Sequence, residues 1–240
     1  MRSSSSARYA VVKHASRYAT LEGLASIETM NAYLDESREL YKELLGADEV
    51  VVWNSDIRCN DGHGAPDLNY KLQTEVQKDR TPSENVRAVA SAAHIDQDEQ
   101  RAREVAKTAA GDDVFDKYRR VQIVNLWRPL KGPVTNAPLA ACDYRGFDSE
   151  NDLLRVKSAY GDSVAVSYSP GQRWAYVSHQ MPDEVLLLRC YDSNMGIDGE
   201  ALFSAHSAVE IVNEPAPFGR EREPVVPRTS VEVRFVVLHK

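Results

Sequence analysis

The sequence predicts a mainly β fold with N-terminal helices and a jelly-roll core. Two observations carry this. From Arg120 onward, short apolar runs recur at near-regular spacing between Pro/Gly turns, the pattern of an all-β sandwich or barrel. Helical periodicity appears only before that point. A length of 240 residues fits one domain spanning the whole chain, 1–240.

The elements follow in order. Met1 to Ser6 is Ser-rich without an apolar h-region, so it reads as no secretory signal; residues 1–20 are expected as a partly disordered tail. Ile27, Met30, Leu34, Leu40, Tyr41, Leu44 and Leu45 repeat with broken 3–4 spacing and predict a helix over 26–46, with Gly46 as C-cap. Glu49 to Trp53 is a short apolar run that predicts a buried strand. Residues 59–85 are polar and carry Gly62, Gly64, Pro66 and Pro82; a loop of that length is a candidate lid. Residues 97–119 predict a charged helix. Strands are then expected at Val121 to Trp127, Leu139 to Asp143, Ser163 to Tyr168, Arg173 to Ser178, Glu184 to Cys190, His206 to Val212 and Val231 to Leu238. Pro129, Gly132-Pro133 and Pro170-Gly171 supply stops and turns.

Composition narrows the class of partner. A formal charge of −7 argues against nucleic acid, which favours a basic surface. No apolar run approaches the roughly 18–20 residues of a membrane span. Cys59, Cys142 and Cys190 are an odd number at wide spacings. They form neither a disulfide framework nor a zinc ribbon, and a reducing, cytoplasmic compartment fits. A homodimer is left open.

The chemistry-bearing pattern is His94-Ile95-Asp96, then His206, then Arg228-Thr229-Ser230. On a strand, residues i and i+2 point to one face, so His94 and Asp96 can reach one metal. A His-x-Asp pair with one distant His is the sequence form of the 2-His-1-carboxylate triad, which binds Fe(II) and leaves positions open. The small neighbours of His206, in Ser204-Ala205-His206-Ser207-Ala208, leave room around its imidazole; His179 is the competing distal ligand. Arg228 offers a fork for a 2-oxoglutarate carboxylate and Ser230 adds a hydroxyl; Arg234, on the same strand face, is the alternative anchor. Each feature has a plainer counterpart: a solvated His-x-Asp, a hydrogen-bonded core histidine, a surface ion pair of Arg228 with Glu221 or Glu223.

Asn125-Leu126-Trp127-Arg128-Pro129 is the most unusual local run. Asn125 and Trp127 share a strand face opposite Arg128, and Trp174 and Tyr176 alternate on another strand next to Arg173. Together these six give a substrate pocket apolar walls and a cationic clamp; core packing of the aromatics and solvated arginines are the competing reading. The order His-x-Asp, His, Arg-x-Ser makes an Fe(II)/2-oxoglutarate oxygenase the leading reading. A cupin-type metalloenzyme without 2-oxoglutarate and a metal-free jelly-roll binding protein are the alternatives.

Several runs together resemble a known family. They are Ala93-His94-Ile95-Asp96, Val124-Asn125-Leu126-Trp127-Arg128-Pro129-Leu130, Pro138 to Asp143, Gln172 to Tyr176, Asp183 to Leu187, Tyr191-Asp192-Ser193, Ala205-His206 and Pro227 to Arg234. The chain looks like the hydroxylase/desaturase group typified by AsaB and CmcJ, related to the fungal gibberellin desaturase. The resemblance covers roughly residues 40 to 240. It implies a double-stranded β-helix, His94, Asp96 and His206 as iron ligands, and Arg228 as the 2-oxoglutarate anchor. Family outcomes include hydroxylation and desaturation, so the reaction type does not transfer; on the oxygenase reading, with 2-oxoglutarate and O₂ as co-substrates, ferryl-mediated hydrogen abstraction would hydroxylate, desaturate or cyclise a small natural-product intermediate.

Overall fold

All eleven residues from Thr229 to His239 are buried, because this strand is covered on both faces. Val231, Val233, Phe235 and Val237 point to one side, and Glu232, Arg234, Val236 and Leu238 alternate with them. Around it the computed structural model describes residues 9–20, 23–24, 26–60, 87–148, 150–158, 161–194, 203–212 and 226–240. Its strands are β1 (Tyr9–Lys13), β2 (Glu49–Cys59), β3 (Arg87–Ala88), β4 (His94–Ile95), β5 (Arg120–Pro129), β6 (Leu139–Asp143), β7 (Leu153–Ser158), β8 (Gly161–Val166), β9 (Arg173–Tyr176), β10 (Glu184–Asp192), β11 (His206–Ala208) and β12 (Thr229–His239). The helices are α1 (Ile27–Leu45), α2 (Glu99–Ala110) and α3 (Val114–Lys117). The fold is mainly β, as the periodicity predicts.

The strands form two six-stranded sheets, ordered β1-β10-β5-β12-β2-β3 and β7-β8-β4-β11-β6-β9. Pairing is antiparallel except for β2 with β3. Helix α1 covers the outer face of the first sheet. Ser26 caps it by accepting from the Thr29 N–H, and Gly46 ends it at φ 60°, a conformation costly for any residue with a Cβ. Met30, Tyr33, Leu34 and Tyr41 of α1 pack on Val124, Leu126, Val233 and Phe235. On the inner face, Ile123, Trp127, Leu186, Leu188 and Val236 meet Leu139 and Ala141 of the second sheet, and Ala102, Val105 and Ala106 of α2 close one end.

Several expectations need correction. Residues 9–13 of the expected tail form the edge strand β1, because Val12 and its neighbours pair with Glu184–Leu188 of β10. The strand at Glu49 runs on to Cys59: beyond Trp53 its polar residues Asn54 and Asp56 pair with Arg234 and Glu232 of β12, and the register shifts between Arg234 and Phe235. The charged helix over 97–119 is interrupted at Gly111, giving α2 and α3. Strand β7 was not foreseen; it pairs with β8. The candidate lid falls almost entirely on residues 61–86, outside the described residues.

Two polar knots hold the sheets in register. Asp192 of the Tyr-Asp-Ser run accepts from Arg120, Gln122 and Arg189 at 2.5–3.1 Å, and Ser193 accepts from the Val121 N–H; the run is a clasp between β10 and β5. Arg128 is the second knot. Its side chain points away from the inter-sheet space and is fully buried. It donates to the Tyr33 hydroxyl at 3.0 Å, the His14 carbonyl at 2.6 Å, the Pro182 carbonyl at 2.7 Å and His14 Nδ1 at 2.7 Å. One guanidinium thus ties α1, the segment after β1 and the β9–β10 connection to the central strand. Arg128→Met leaves these buried acceptors without a donor, at about 1–3 kcal/mol each. The expected loss is about 3 kcal/mol or more in urea unfolding, with ligand binding at the inner face unaffected.

Candidate active site

The sheet register brings the predicted ligands together. Strand β11 lies between β4 and β6, with His206 directly opposite both His94 and Ala141. His94 is in turn opposite Ala165. Residues directly opposite in an antiparallel pair share a face. Both imidazoles therefore project from the second sheet toward the first, flanked by alanines that leave space around them. Asp96 follows β4 immediately. The ring centroids are 4.5 Å apart. Asp96 Oδ1 lies 3.5 Å from His94 Nε2 and 3.6 Å from His206 Nε2, and one ligand atom from each of the three residues lies within 4.8 Å of the others. His94 is 22 % exposed and His206 4 %, so the cluster opens on the His94 side.

The histidine tautomers follow from their partners. His94 Nδ1 is 2.8 Å from the Ala92 carbonyl, and His206 Nδ1 is 3.0 Å from the Ser204 carbonyl. A carbonyl only accepts, so each Nδ1 carries a hydrogen and each Nε2 presents a lone pair to the centre. Burial and then the neighbouring His94 hold His206 below its usual pKa, which favours the neutral, ligating form. Burial also pulls on His94, but the hydrogen bond and charge of Asp96 outweigh it and leave that pKa raised. Burial pushes the Asp96 carboxyl up, yet Arg234 and then the two histidines outweigh it and hold it well below the usual carboxylate range. Two imidazole nitrogens and one ionised carboxylate oxygen, converging in a buried space, are a donor set that suits a ferrous ion.

The facing sheet supplies the surroundings. Arg234 donates from Nε to Asp96 Oδ2 at 3.2 Å, from Nη1 to Asn54 at 2.7 Å and Asp56 at 3.0 Å, and from Nη2 to Glu232 at 2.6 Å. Its donors are committed, so the expectation of Arg234 as a cofactor anchor is corrected: it braces Asp96. Asn125 likewise donates to Asp96 Oδ2 at 2.6 Å and to Glu232 at 3.1 Å, where a substrate contact was expected. Glu232, Asp56 and Asn54 were missed. The available signal is the Glu232-x-Arg234 alternation within an apolar strand: charges on a strand buried on both faces must find partners there.

Arg228 presents the opposite case. It is 4 % exposed and lies on the inner face with Ser230. Its Nη1 donates to the Ala137 carbonyl at 2.6 Å, and its guanidinium carbon lies 5.4 Å from the Trp127 ring centroid. Its Nε is buried with no hydrogen-bond partner among the described residues. Burial, then the charge of Arg58, lowers its pKa to about 10. A buried guanidinium with an unused donor is costly unless an anion completes it.

The remaining predicted residues divide by face. Trp127 shares the inner face with Asn125 and supports Arg228. Arg128 lies on the opposite face, locked in the knot above, so it is not placed to hold substrate. Trp174 and Tyr176 pair with Cys142 and Ala140, one residue out of phase with Ala141 and therefore on the face turned away from the imidazoles. Trp174 packs there against the cluster of Ile95, Cys142, Val164 and Phe203. Arg173 shares the imidazole face but is exposed on the edge strand. His179, the competing distal ligand, sits in a turn at φ 52° beside Ser178, outside the cluster.

Known proteins resemble this chain in sequence and in fold. A family model described as Oxidoreductase/YMDC permease-like domain matches residues 5–238; among the described residues, no helix is long and apolar enough to cross a membrane. Hydroxylase/desaturase CTB9 of Cercospora beticola is 30% identical over 256 aligned positions, covering 95% of this chain and 69% of that protein. Hydroxylase/desaturase asaB of Aspergillus flavus is 40% identical over 136 positions, which are 49% of this chain and 55% of that protein; the chain spans about half the length of such relatives. The solved structure of the iron and alpha-ketoglutarate-dependent endoperoxidase NvfI superposes with a TM-score of 0.73 at 25% identity, covering 97% of this chain and 78% of that one. The chain belongs to the hydroxylase/desaturase family of oxidoreductases.

Proposed function

We propose that the chain is an Fe(II)/2-oxoglutarate-dependent oxygenase that hydroxylates, desaturates or cyclises a small natural-product intermediate, built as one domain on a double-stranded β-helix. The observation that carries this is the pairing of two features on facing sheets. One is a converging His94, Asp96 and His206 donor set. The other is a buried Arg228 with an unpaired donor. The names of its relatives, among them a gibberellin-cluster desaturase and an Fe(II)/2-oxoglutarate-dependent dioxygenase, support the same reading.

In this reading His94 Nε2, His206 Nε2 and Asp96 Oδ1 hold the metal. When bound, the ferrous ion and 2-oxoglutarate supply O₂ activation coupled to oxidative decarboxylation to succinate and CO₂. Arg228 would hold a carboxylate of 2-oxoglutarate, with Ser230 as a second donor and Trp127 beside the guanidinium. The chain's contribution is position: two backbone-locked imidazoles, a braced carboxylate and a cationic anchor set the co-substrate relative to the target C–H bond. The buried guanidinium disfavours a metalloenzyme that needs no anionic co-substrate. Trp127 and Arg173 are the remaining candidates for the substrate wall. Three free, buried cysteines suit a reducing, cytoplasmic setting.

The test is coupled turnover. With Fe(II), ascorbate and 2-oxoglutarate, succinate formation should rise several-fold with a small natural-product acceptor and not with peptides or oligonucleotides. An oxidised residue or base, found by mass spectrometry with robust stimulation by a peptide or oligonucleotide, would overturn the substrate class.

A further inference from the structure

We propose that Asn125 and Arg234 together fix Asp96 as a one-oxygen ligand, holding its second oxygen out of the metal's coordination positions. This rests on the metal reading above and concerns what the braces do for it. The two oxygens of Asp96 live in different surroundings. Oδ1 faces the two imidazole nitrogens at 3.5 and 3.6 Å. Oδ2 accepts from Asn125 Nδ2 at 2.6 Å and Arg234 Nε at 3.2 Å, and the Cys190 thiol lies 4.0 Å from it. A carboxylate that bound through both oxygens would forfeit these charge-assisted hydrogen bonds in a buried place, where they are strongest.

The braces are themselves fixed. Arg234 and Asn125 are directly opposite across β12 and β5, so both donors arrive side by side from adjacent strands. Arg234 is held at its other nitrogens by Asn54, Asp56 and Glu232. The amide orientation of Asn125 is set by its partners, because Nδ2 meets two carboxylates and carboxylates only accept. Among the described residues its Oδ1 is buried with no hydrogen-bond partner, so the residue is used here as a donor. The gain is a coordination position. A bound ferrous ion with three single-atom protein ligands would keep positions open for its co-substrates, and an aspartate bound through both oxygens would take up one of them. Asn125 and Arg234 are therefore positioning residues: they act on the metal through Asp96.

The experiment uses Co(II) as a redox-silent probe with the full chain. Asn125→Leu keeps the heavy-atom branching and removes both donors; Arg234→Lys keeps the charge but cannot bridge the same groups. Co(II) affinity is read by calorimetry and coordination by the visible ligand-field spectrum; apo-protein melting is followed alongside. The expected result is Co(II) binding about 10–100-fold weaker in Asn125→Leu, with altered ligand-field bands, and a change in the same direction in Arg234→Lys. A purely structural role lowers the melting temperature and leaves the spectrum of the bound ion as in the wild type. Should Asn125→Leu fail to fold, Arg234→Lys is judged by the same two readings. Wild-type binding together with an unchanged spectrum and affinity in the folded variants overturns the clamp and leaves the metal reading intact. Absence of Co(II) binding by the wild type overturns both.

Discussion

Replacing His206 with alanine is expected to abolish ferrous-ion binding and turnover, while His179→Ala leaves both as in the wild type. His206 is the best-fixed ligand of the three. It sits on a strand between β4 and β6, and its Nδ1 hydrogen is held by the Ser204 carbonyl at 3.0 Å. Its ring therefore needs no reorientation to bind. Removing a group that merely supports a ligand costs about 10–100-fold in metal affinity, so removing one ligand of three should cost more than about 100-fold. Iron stoichiometry after anaerobic loading and desalting is the readout. The fold should tolerate the change, because His206 stands beside the small residues Ala141, Ala205 and Ser207 and the substitution removes the hydrogen bond that its Nδ1 donates to the Ser204 carbonyl. Full iron stoichiometry in His206→Ala, with its loss in His179→Ala, would reverse the assignment.

Arg228→Met is expected to separate co-substrate binding from stability. A desolvated, charge-assisted pair between guanidinium and carboxylate costs about 2–5 kcal/mol when one partner is removed, and about 1.4 kcal/mol is tenfold. Affinity for 2-oxoglutarate should therefore fall at least tenfold. Without co-substrate the sign differs. Arg228 carries a buried charge with an unpaired Nε and has Arg58 as a repelling neighbour, so an apolar replacement relieves a cost in the apo-protein. Its apo-stability should be unchanged or higher in urea unfolding. Arg234→Met should do the reverse, since it strips a donor from Asp96, Asp56 and Glu232 at once. A matching loss of stability in Arg228→Met, with 2-oxoglutarate affinity unchanged, would contradict the anchor.

What could be read from the sequence, and what could not, divides along one physical line. Period-2 alternation and turn residues revealed the β-rich half, and the broken 3–4 spacing with Gly46 placed α1 closely, because these are local signals. Strand β1 escaped because its burial pattern is set by β10, far away in sequence. The His-x-Asp, His and Arg-x-Ser pattern was legible because metal and carboxylate chemistry restrict residue type sharply. Face assignments were legible along a single strand: Asn125 and Trp127 do oppose Arg128. Which face meets the site was not, and so Arg128, Trp174 and Tyr176 read as pocket residues although they point elsewhere. Arg234 was misjudged for the same reason. Its acid partners lie on β2, just after β4 and on its own strand, and only the register of β12 with β2 reveals that its donors are already taken.

One site should hold a ferrous ion and 2-oxoglutarate together, and anaerobic titration of the Fe(II)-loaded protein with 2-oxoglutarate, followed by visible absorption, measures this. Chelation of a ferrous ion by the 2-oxo acid produces a metal-to-ligand charge-transfer band. The band should saturate at one equivalent per chain in the wild type, need at least tenfold more 2-oxoglutarate in Arg228→Met, and be absent in His206→Ala. Iron that binds without any band at saturating 2-oxoglutarate, or a band that survives His206→Ala, would contradict it.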